Sequence, residues 1–485
     1  MSARAARIPS HPLLWVALAG LLGAAAGMGA GVDPKVTVVA VVGIAALIAL
    51  FLRPDWVPAA LIVTMFMEGI ALGGVQITRL VAPLAAAIVL IRLAAGGAVR
   101  FPRRSVLLAV GAYSAWAFAS VLWTVNPDSS FSQNGTGYAL ASLALSVVFL
   151  FAMAVLVESR RDVRRVMAVM WLMSVLAGLV AIGEFATGAQ RAVGYTGDAN
   201  FFAATQVIAL PIGVALSGQI EERGKRLVVL LGTAVAIGSI FTSLSRGGIL
   251  ALSAVLLVLA FQPASQIFRA RARKRAFFLT AVVGGAVLLS FSYGALSART
   301  SSLFQTKEGG SGRTYLWKAA LTGFKEHPGH GLGFGAFDSQ SNFLLERTPG
   351  VDFSSYRLRQ TGQVVHNAYL SSLTELGVLG LALFLAMFGT TFATLRRVAR
   401  RAEADDDPPV AALARALILS LAGFMLVSIF LSSETDRALW VVMGLALALG
   451  RLAPPHGLPA PLRRGHLLAS GRGRLPRPDW APHHP

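Results

Sequence analysis

Long apolar blocks separated by short polar segments run along most of the chain. Several blocks reach the roughly 20 residues with which a helix crosses the hydrocarbon core of a bilayer. Because lipid offers no hydrogen-bond partners, each block must satisfy its own backbone, and a helix does so. The pattern predicts spanning helices near residues 13–31, 35–52, 57–75, 78–91, 105–123, 138–157, 166–187, 199–217, 227–243, 247–262, 276–294, 367–394, 412–431 and 438–450.

These blocks predict an all-α polytopic membrane protein with about 12–14 transmembrane helices. The count depends on two pairs of blocks that are joined by very short turns, 57–75 with 78–91 and 227–243 with 247–262. The composition agrees, because 55% of the 485 residues are hydrophobic and 14% are charged. A soluble chain carries about 25% charged residues. The absence of cysteine excludes disulfides, thiolate catalysis and cysteine-bound metals.

The net charge of +20 follows the predicted membrane topology. Lysine and arginine cluster in alternate loops, at 100–104, 160–165, 223–226, 269–275 and 396–401. The short loops between these clusters carry only Lys35, Arg79, Arg191, Arg246 and Arg437. The excess of positive charge on cytoplasmic loops therefore places both termini in the cytoplasm. It also explains the basic balance without a nucleic-acid partner.

Four regions follow from this pattern. Residues 1–294 hold about eleven predicted spans, and 295–365 form one large periplasmic loop. Residues 366–451 hold about three further spans. The stretch 452–485 is rich in Pro, Gly, Arg and His and lacks apolar periodicity, which predicts a disordered cytoplasmic tail. A connection as long as the loop is uncommon unless it is functional or disordered.

The large loop has helical spacing of its own. Its apolar residues recur three and four positions apart at Leu316, Trp317, Ala320, Leu321 and Phe324. This predicts a short amphipathic helix on the membrane surface, with Trp317 at headgroup level. Arg313 then stands at the helix N-terminus, where it could bind a substrate phosphate or simply meet lipid phosphate. The glycine-rich run 328–335 predicts tight turns, and it lacks the Gly-Lys-Ser/Thr ending of a nucleotide-binding loop.

Polar residues also stand at the outer ends of predicted spans, where charge is scarce. Arg246 interrupts an otherwise apolar stretch, so it is a functional hypothesis, with a snorkelling arginine as the structural alternative. Arg191 is a second outer arginine. His366 precedes the span 367–394, and a helix N-terminus disfavours a cation and favours the neutral, proton-accepting imidazole. Glu375 could pair with an arginine within the bundle.

Four short blocks resemble the signature of the O-antigen ligase and O-antigen polymerase superfamily of bacterial membrane glycosyltransferases. In chain order the blocks are Ser245-Arg246-Gly247-Gly248, Ser311-Gly312-Arg313 through Trp317, His327-Pro328-Gly329-His330-Gly331-Leu332-Gly333, and His366-Asn367 with nine residues before Gly377-Val378-Leu379-Gly380. They follow one another in the family's order. The hydropathy plan is also similar over most of the chain, although the family's ligases usually have fewer spans.

The resemblance implies a glycosyltransferase at the periplasmic face of the bacterial inner membrane that uses no metal and no cofactor. Such enzymes transfer a glycan from undecaprenyl diphosphate to a sugar hydroxyl. The acceptor is the lipid A core for a ligase, and a lipid-linked repeat unit for an O-antigen or exopolysaccharide polymerase. The expected partners are therefore these lipid-linked sugars and membrane lipid, with no nucleic acid.

The residues suit this chemistry. A departing lipid diphosphate needs fixed cations, for which Arg246 and Arg313 are the first candidates and Arg191 the next. The acceptor hydroxyl loses a proton as it attacks, and His366 is suited to be the general base. Asn367 or Tyr369 could orient His366 or the sugar, and Glu375 is a further candidate for substrate binding. The alternative function is a lipid-linked oligosaccharide flippase, which should instead place its charges inside the bundle and keep its loops short.

Overall fold

The computed structural model describes residues 45–72, 75–94, 104–125, 135–305, 312–351 and 363–452, together with the isolated residues 43 and 101. The first predicted span and the C-terminal tail after Leu452 lie outside the described residues. Half of the second predicted span, residues 35–42 and 44, does so too.

Within these residues the chain is helical, apart from one small antiparallel hairpin. The elements before the middle of the chain are α1 (Ala45–Leu52), α2 (Val57–Phe66), β1 (Ala71–Leu72), β2 (Val75–Gln76), α3 (Ile77–Ala94), α4 (Ser105–Ala119), α5 (Thr136–Leu156), α6 (Arg160–Ala186) and α7 (Ala199–Gln219). Those after it are α8 (Arg223–Thr242), α9 (Arg246–Phe261), α10 (Arg271–Gln305), α11 (Arg313–Glu326), α12 (Ala336–Arg347), α13 (Ala368–Ala404), α14 (Pro408–Val427) and α15 (Arg437–Leu452).

The predicted all-α polytopic membrane fold is confirmed. Nine helices in the described part of the chain are long and apolar enough to cross a membrane, and a bent pair would make ten. Both α9 and α15 fall below that length, at 16 residues each. The two blocks 227–243 and 247–262 are separate helices, α8 and α9, divided at Ser243–Ser245.

The block 57–75 is not one uniform span as predicted. Helix α2 ends at Phe66, and the chain then forms the β1–β2 hairpin. Gly69 lies between them and donates its N–H to the Tyr195 carbonyl at 2.8 Å, and a Cβ at Gly69 would come within 2.7 Å of that oxygen. The helix breaks there because only glycine lets the two backbones approach so closely. Helix α1 bends by 105° from the segment that contains α2.

The core of the bundle is built around α7, which is buried along nearly its whole length. It packs against α6, α8 and α14, and α15 packs against α5 and α13. Helix α10 packs mainly against α8, and most of its apolar side chains are exposed at the bundle surface. A helix that is apolar and uncovered in this way is suited to contact lipid.

The basic loops meet at one end of the bundle. Arg160 pairs with Asp407 across two such loops. Arg165 pairs with Asp55 at 3.3 Å, and Arg92 with Glu158 at 2.8 Å. Because α6 runs from Arg160 to Ala186, the loop that follows it and carries Arg191 lies at the other end. The alternation of charge along the sequence thus becomes a separation between the two ends of the bundle.

The large predicted loop holds two short helices, α11 and α12, which pack on each other and on α13. Their facing side chains form a small apolar cluster that includes Leu316, Ala320, Phe337 and Leu345. Trp317 is packed against this cluster and donates Nε1–H to the Val365 carbonyl at 3.1 Å. Trp317 thus holds the segment before His366, and its position at headgroup level stays a prediction.

The glycine-rich run docks against a break in α13. Gly377 has φ 69° and ψ −169°, so the helical segment before it is separate from the long helix after it. Leu332 N–H bonds to the Thr374 carbonyl at 3.0 Å, and Gly333 N–H to the Glu375 carbonyl at 2.8 Å. The predicted span 367–394 therefore consists of a short outer helix followed by a spanning one. The predicted tight turns are present, with Gly331, Gly333 and Gly335 all at positive φ.

Candidate functional site

The turn between α8 and α9 presents Arg246. Ser245 ends the turn and caps α9, since its Oγ accepts the Gly248 N–H at 3.3 Å. Leu244, one residue earlier, has φ 51°. Arg191 from the preceding loop donates Nε–H to the Ser243 carbonyl at 3.0 Å. The two outer arginines that the sequence singled out are therefore fixed to the same turn.

Arg313 faces this pair from the large loop. Gly312 adopts φ 67° and starts α11, so that Arg313 is its first residue as predicted. Burial lowers the pKa of Arg313, and the positive charges of Arg246 and Arg191 lower it further, against the opposite effect of Asp198. Among the described residues, neither Arg246 nor Arg313 has a hydrogen-bond or ion-pair partner for its guanidinium group. Among the described residues, the cluster therefore carries more positive than negative charge, as an anion site does.

Asp198 is the acid of this cluster, and its carboxylate is already engaged. Its Oδ1 accepts the N–H groups of Asn200 at 2.7 Å and Phe201 at 3.1 Å, and it thereby caps α7. The Asn200 side chain in turn accepts from Arg191 at 2.9 Å. The Asp198 carboxylate thus offsets only part of the charge of three arginines.

His366 lies next to the arginine cluster. Its backbone is left-handed at φ 54°, and its N–H donates to Ser432 Oγ at 3.0 Å. Burial lowers the pKa of His366 to about 4, and Arg313 is the next cause, opposed by Asp198. The imidazole is therefore neutral at neutral pH, as the sequence predicted from its helix-end position. Its Nδ1 is buried and has no hydrogen-bond partner among the described residues.

Backbone strain collects around these residues. Five residues other than glycine have positive φ in the described part of the chain, and Tyr195, Leu244 and His366 are three of them. Each left-handed residue costs on the order of 1–3 kcal/mol, so surrounding contacts must hold it in place. The other two, Arg269 and Asp406, are at the opposite end of the bundle. Strain concentrated in this way is typical of functional sites.

Asn367, Tyr369 and Glu375 are engaged with the backbone. Asn367 Oδ1 caps α13 by accepting the N–H groups of Tyr369 and Leu370 at 3.1 and 3.0 Å. The Tyr369 hydroxyl donates to the Met425 carbonyl at 2.8 Å. The interpretation of Glu375 as a partner of an arginine was wrong, because its carboxylate accepts Gly335 N–H at 2.9 Å and Phe337 N–H at 3.2 Å. An anion at the start of α12 stabilises that helix end.

Sequence reasoning missed Asp198, Ser432 and the ion pair between Glu68 and Arg437 at 2.6 Å. An acidic residue directly before a helix start was a readable signal for Asp198 as a cap. Ser432 gave no such signal, since its role rests on a contact with a residue 66 positions away. In the part of the chain that the structure describes, no group of three His, Asp or Glu side chains could hold a metal ion.

A cavity of about 340 Å³ opens beside His366. His366 and Asp198 lie on its boundary, and the Glu68–Arg437 pair, Gln76 and Tyr138 are among its other lining residues. The three arginines are absent from its described lining. His366 and Asp198 therefore lie between a cationic cluster and a polar cavity.

Comparison with known proteins agrees with the resemblance seen in the sequence blocks. Residues 231–385 match a family model described as O-antigen ligase, and this range includes Arg246, Arg313 and His366. The exopolysaccharide production protein ExoQ of Rhizobium meliloti (strain 1021) is 27% identical over 169 residues, which are 35% of this chain. The chain spans 38% of the length of that curated relative. Over residues 231–385 the chain is thus similar to O-antigen ligases, and over 169 residues it is similar to a protein of exopolysaccharide production.

Proposed function

We propose that this multi-pass inner-membrane protein transfers a glycan from an undecaprenyl-diphosphate-linked donor to a sugar hydroxyl at the periplasmic face. The observation that carries the proposal is the convergence of three arginines beside a buried, neutral histidine. The superfamily supports glycan transfer of the ligase or polymerase type. The acceptor is then a lipid A core or a second lipid-linked repeat unit.

The arginine cluster would bind the donor diphosphate. Arg246 and Arg313 have no other partners among the described residues, so their donors are available to phosphate oxygens. Arg191 is held by Ser243 and Asn200 and adds charge from a fixed position. As the bond between the anomeric carbon and the phosphate oxygen breaks, its electron pair goes to the diphosphate. Positioned guanidinium groups stabilise the charge that develops there.

His366 would accept the proton of the acceptor hydroxyl. The hydroxyl oxygen forms the new bond to the anomeric carbon, and its proton passes to the neutral imidazole. A base with a pKa of about 4 is weak, and burial is the main cause of this low pKa. The bound diphosphate would offset the further lowering of the pKa by Arg313 and Arg191. Donor binding would thus raise the pKa of His366 and improve it as a base.

The distribution of charge supports the proposed periplasmic location. The clustered basic loops lie at the end of the bundle opposite Arg191, Arg246 and His366. Cytoplasmic loops carry the excess of lysine and arginine, so this end would be cytoplasmic and the candidate site periplasmic. Reporter fusions at residues within α12 should give a periplasmic signal, and a cytoplasmic signal there would contradict the proposed side.

The chemistry can be tested with purified protein and lipid-linked glycan. We expect His366→Ala, Arg246→Ala and Arg313→Ala each to lower transfer by about 10²-fold or more while the protein still inserts and folds. A matched control in the same outer region is Arg347→Ala, because its guanidinium group pairs with Glu326 at 3.4 Å. Full transfer by any one of the first three variants would remove that residue from its proposed role.

The product that accumulates in a deletion strain separates the possible acceptors. Long glycans left on undecaprenyl diphosphate would indicate a ligase, whereas single repeat units would indicate a polymerase. Unflipped units on the cytoplasmic side would instead indicate a flippase and contradict the proposal.

A further inference from the structure

The cavity beside His366 has a chemistry different from that of the arginine cluster. Three carboxylates line it, from Glu68, Asp198 and Asp436, against the guanidinium group of Arg437. The Glu68–Arg437 pair is mostly buried, with side chains 22% and 11% exposed. This lining has no surplus of guanidinium groups, so it is less suited to a diphosphate than the arginine cluster and is suited to an uncharged part of a substrate.

Several polar atoms on this wall have no partner. Gln76 donates Nε2–H to the Glu68 carbonyl at 3.2 Å, but its Oε1 is buried and unbonded among the described residues. Arg437 Nε is likewise buried and has no hydrogen-bond partner among the described residues. A buried polar group without a partner costs on the order of 1–3 kcal/mol, so such groups usually have a bound water or ligand to satisfy them. One acceptor and one donor in the described wall are therefore buried next to the cavity without a protein partner.

The remaining lining suits a sugar ring. Tyr138 and Phe201 contribute aromatic surface, and Arg79 covers the Tyr138 ring at 5.0 Å from its centroid. Ser432 and Thr435 add hydroxyl groups. Apolar faces interspersed with donors and acceptors match a polyol, which presents C–H faces and hydroxyl groups together.

The geometry points to this cavity as the binding site for the acceptor glycan, with Glu68, Gln76, Tyr138 and Arg437 as its recognition residues. The inference rests on the proposed glycan transfer. The assignment of the acceptor to this cavity follows from the position of His366. This residue lines the cavity and is also close enough to Arg313 for the arginine charge to lower its pKa. A base in this position would take the proton from an acceptor hydroxyl held in the cavity. The hydroxyl oxygen would then attack the anomeric carbon of a donor whose diphosphate is bound by the arginines.

The test measures donor and acceptor dependence separately. Gln76→Met removes the amide, with its unpaired Oε1, at similar side-chain length, and Tyr138→Phe removes one hydroxyl while keeping the ring under Arg79. We expect each to raise the acceptor KM by about 3- to 10-fold, the cost of one lost hydrogen bond, with the donor KM near its wild-type value. Tyr293→Phe is the matched control, because Tyr293 is 65% exposed on α10. A rise in donor KM alone, or no change in either constant, would overturn the inference.

Measuring oligosaccharide binding to a variant that should not catalyse transfer tests this inference separately from the proposed function. The probes are the core oligosaccharide released from host lipopolysaccharide by mild acid and the repeat-unit oligosaccharide released from lipid-linked intermediates. Saturation-transfer NMR with detergent-purified His366→Ala protein should show binding of one probe, and adding Gln76→Met should weaken that binding about 3- to 10-fold. If neither probe binds, or if Gln76→Met leaves binding unchanged, the acceptor site is refuted. If His366→Ala retains full transfer, the proposed mechanism fails whether or not a probe binds.

Discussion

A methyl group at Gly377 should disrupt the outer half of α13. At φ 69° and ψ −169° the backbone is in a region open essentially only to glycine, at a cost of about 1–3 kcal/mol for another residue. The added Cβ would also meet the Gly329 carbonyl oxygen at 2.4 Å and the His330 nitrogen at 2.8 Å. Both are backbone atoms, so no side chain can turn away, and overpacking adds about 1–3 kcal/mol. Gly377→Ala should therefore destabilise this contact by about 2–6 kcal/mol.

Two tryptophans beside the contact provide the assay. Trp116 donates to the Leu376 carbonyl at 2.9 Å, and Trp123 to the His330 carbonyl at 3.1 Å. Thermal unfolding of Gly377→Ala in detergent, followed by tryptophan fluorescence, should begin at lower temperature than in the wild type. Transfer should also fall, because the short helix after His366 is positioned through this contact, and a displacement of about 1 Å can cost on the order of 10²-fold.

Gly389→Ala is the matched control on the same helix. A Cβ at Gly389 meets nothing within 4 Å, so this substitution should be neutral or stabilise the helix by up to about 1 kcal/mol. If Gly377→Ala and Gly389→Ala unfold at the same temperature and transfer equally well, the break at Gly377 is not the constraint that the structure indicates.

Three further predictions concern charge. Because the pKa of His366 is lowered to about 4 and the neutral form is the base, kcat/KM should stay level as pH falls to about 5 and then decline, and an acid limb near 6.5 would contradict this. Arg313→Gln removes a charge that lowers this pKa, so the limb should move to higher pH while the donor KM rises; an unmoved limb would place Arg313 outside the field of His366. Glu375→Gln sets an amide against two backbone N–H donors and should lower stability by about 1–3 kcal/mol in thermal unfolding, whereas a change in the pH limb with unaltered stability would indicate a catalytic role instead.

Hydropathy and charge alternation predicted the helices well because each spanning helix satisfies its own backbone locally. The break in α13 escaped this reasoning, since Gly377 in an apolar stretch has the same appearance as a glycine inside a straight helix. Its conformation depends on Gly329 and His330, which approach from another part of the chain. One glycine does not interrupt the run of apolar residues, so the pattern predicts a continuous span.

The charged and titratable residues of the candidate site were predicted from the sequence, but the contacts that position them were not. Arg246, Arg313 and His366 were visible because a charged or titratable group at a membrane edge is conspicuous in the sequence. Asn367 was visible too, but its function as the cap of α13 depends on local backbone geometry. The contact from Ser432 to His366 joins distant segments, and a single sequence carries no sign of it.

Helix α10 has a further consequence for molecules that move within the bilayer. Its apolar stretch 276–294 is about 28 Å long, which matches the roughly 30 Å thickness of the hydrocarbon core. The helix continues to Gln305, so residues 295–305 extend about 16 Å farther along its axis. If the helix is only slightly tilted, this extension projects beyond the headgroups at the side of the bundle. A polyprenol carrier diffusing in the outer leaflet would then have to move around this projecting helix. The projection would thus restrict the directions from which the attached diphosphate and glycan can approach the candidate site.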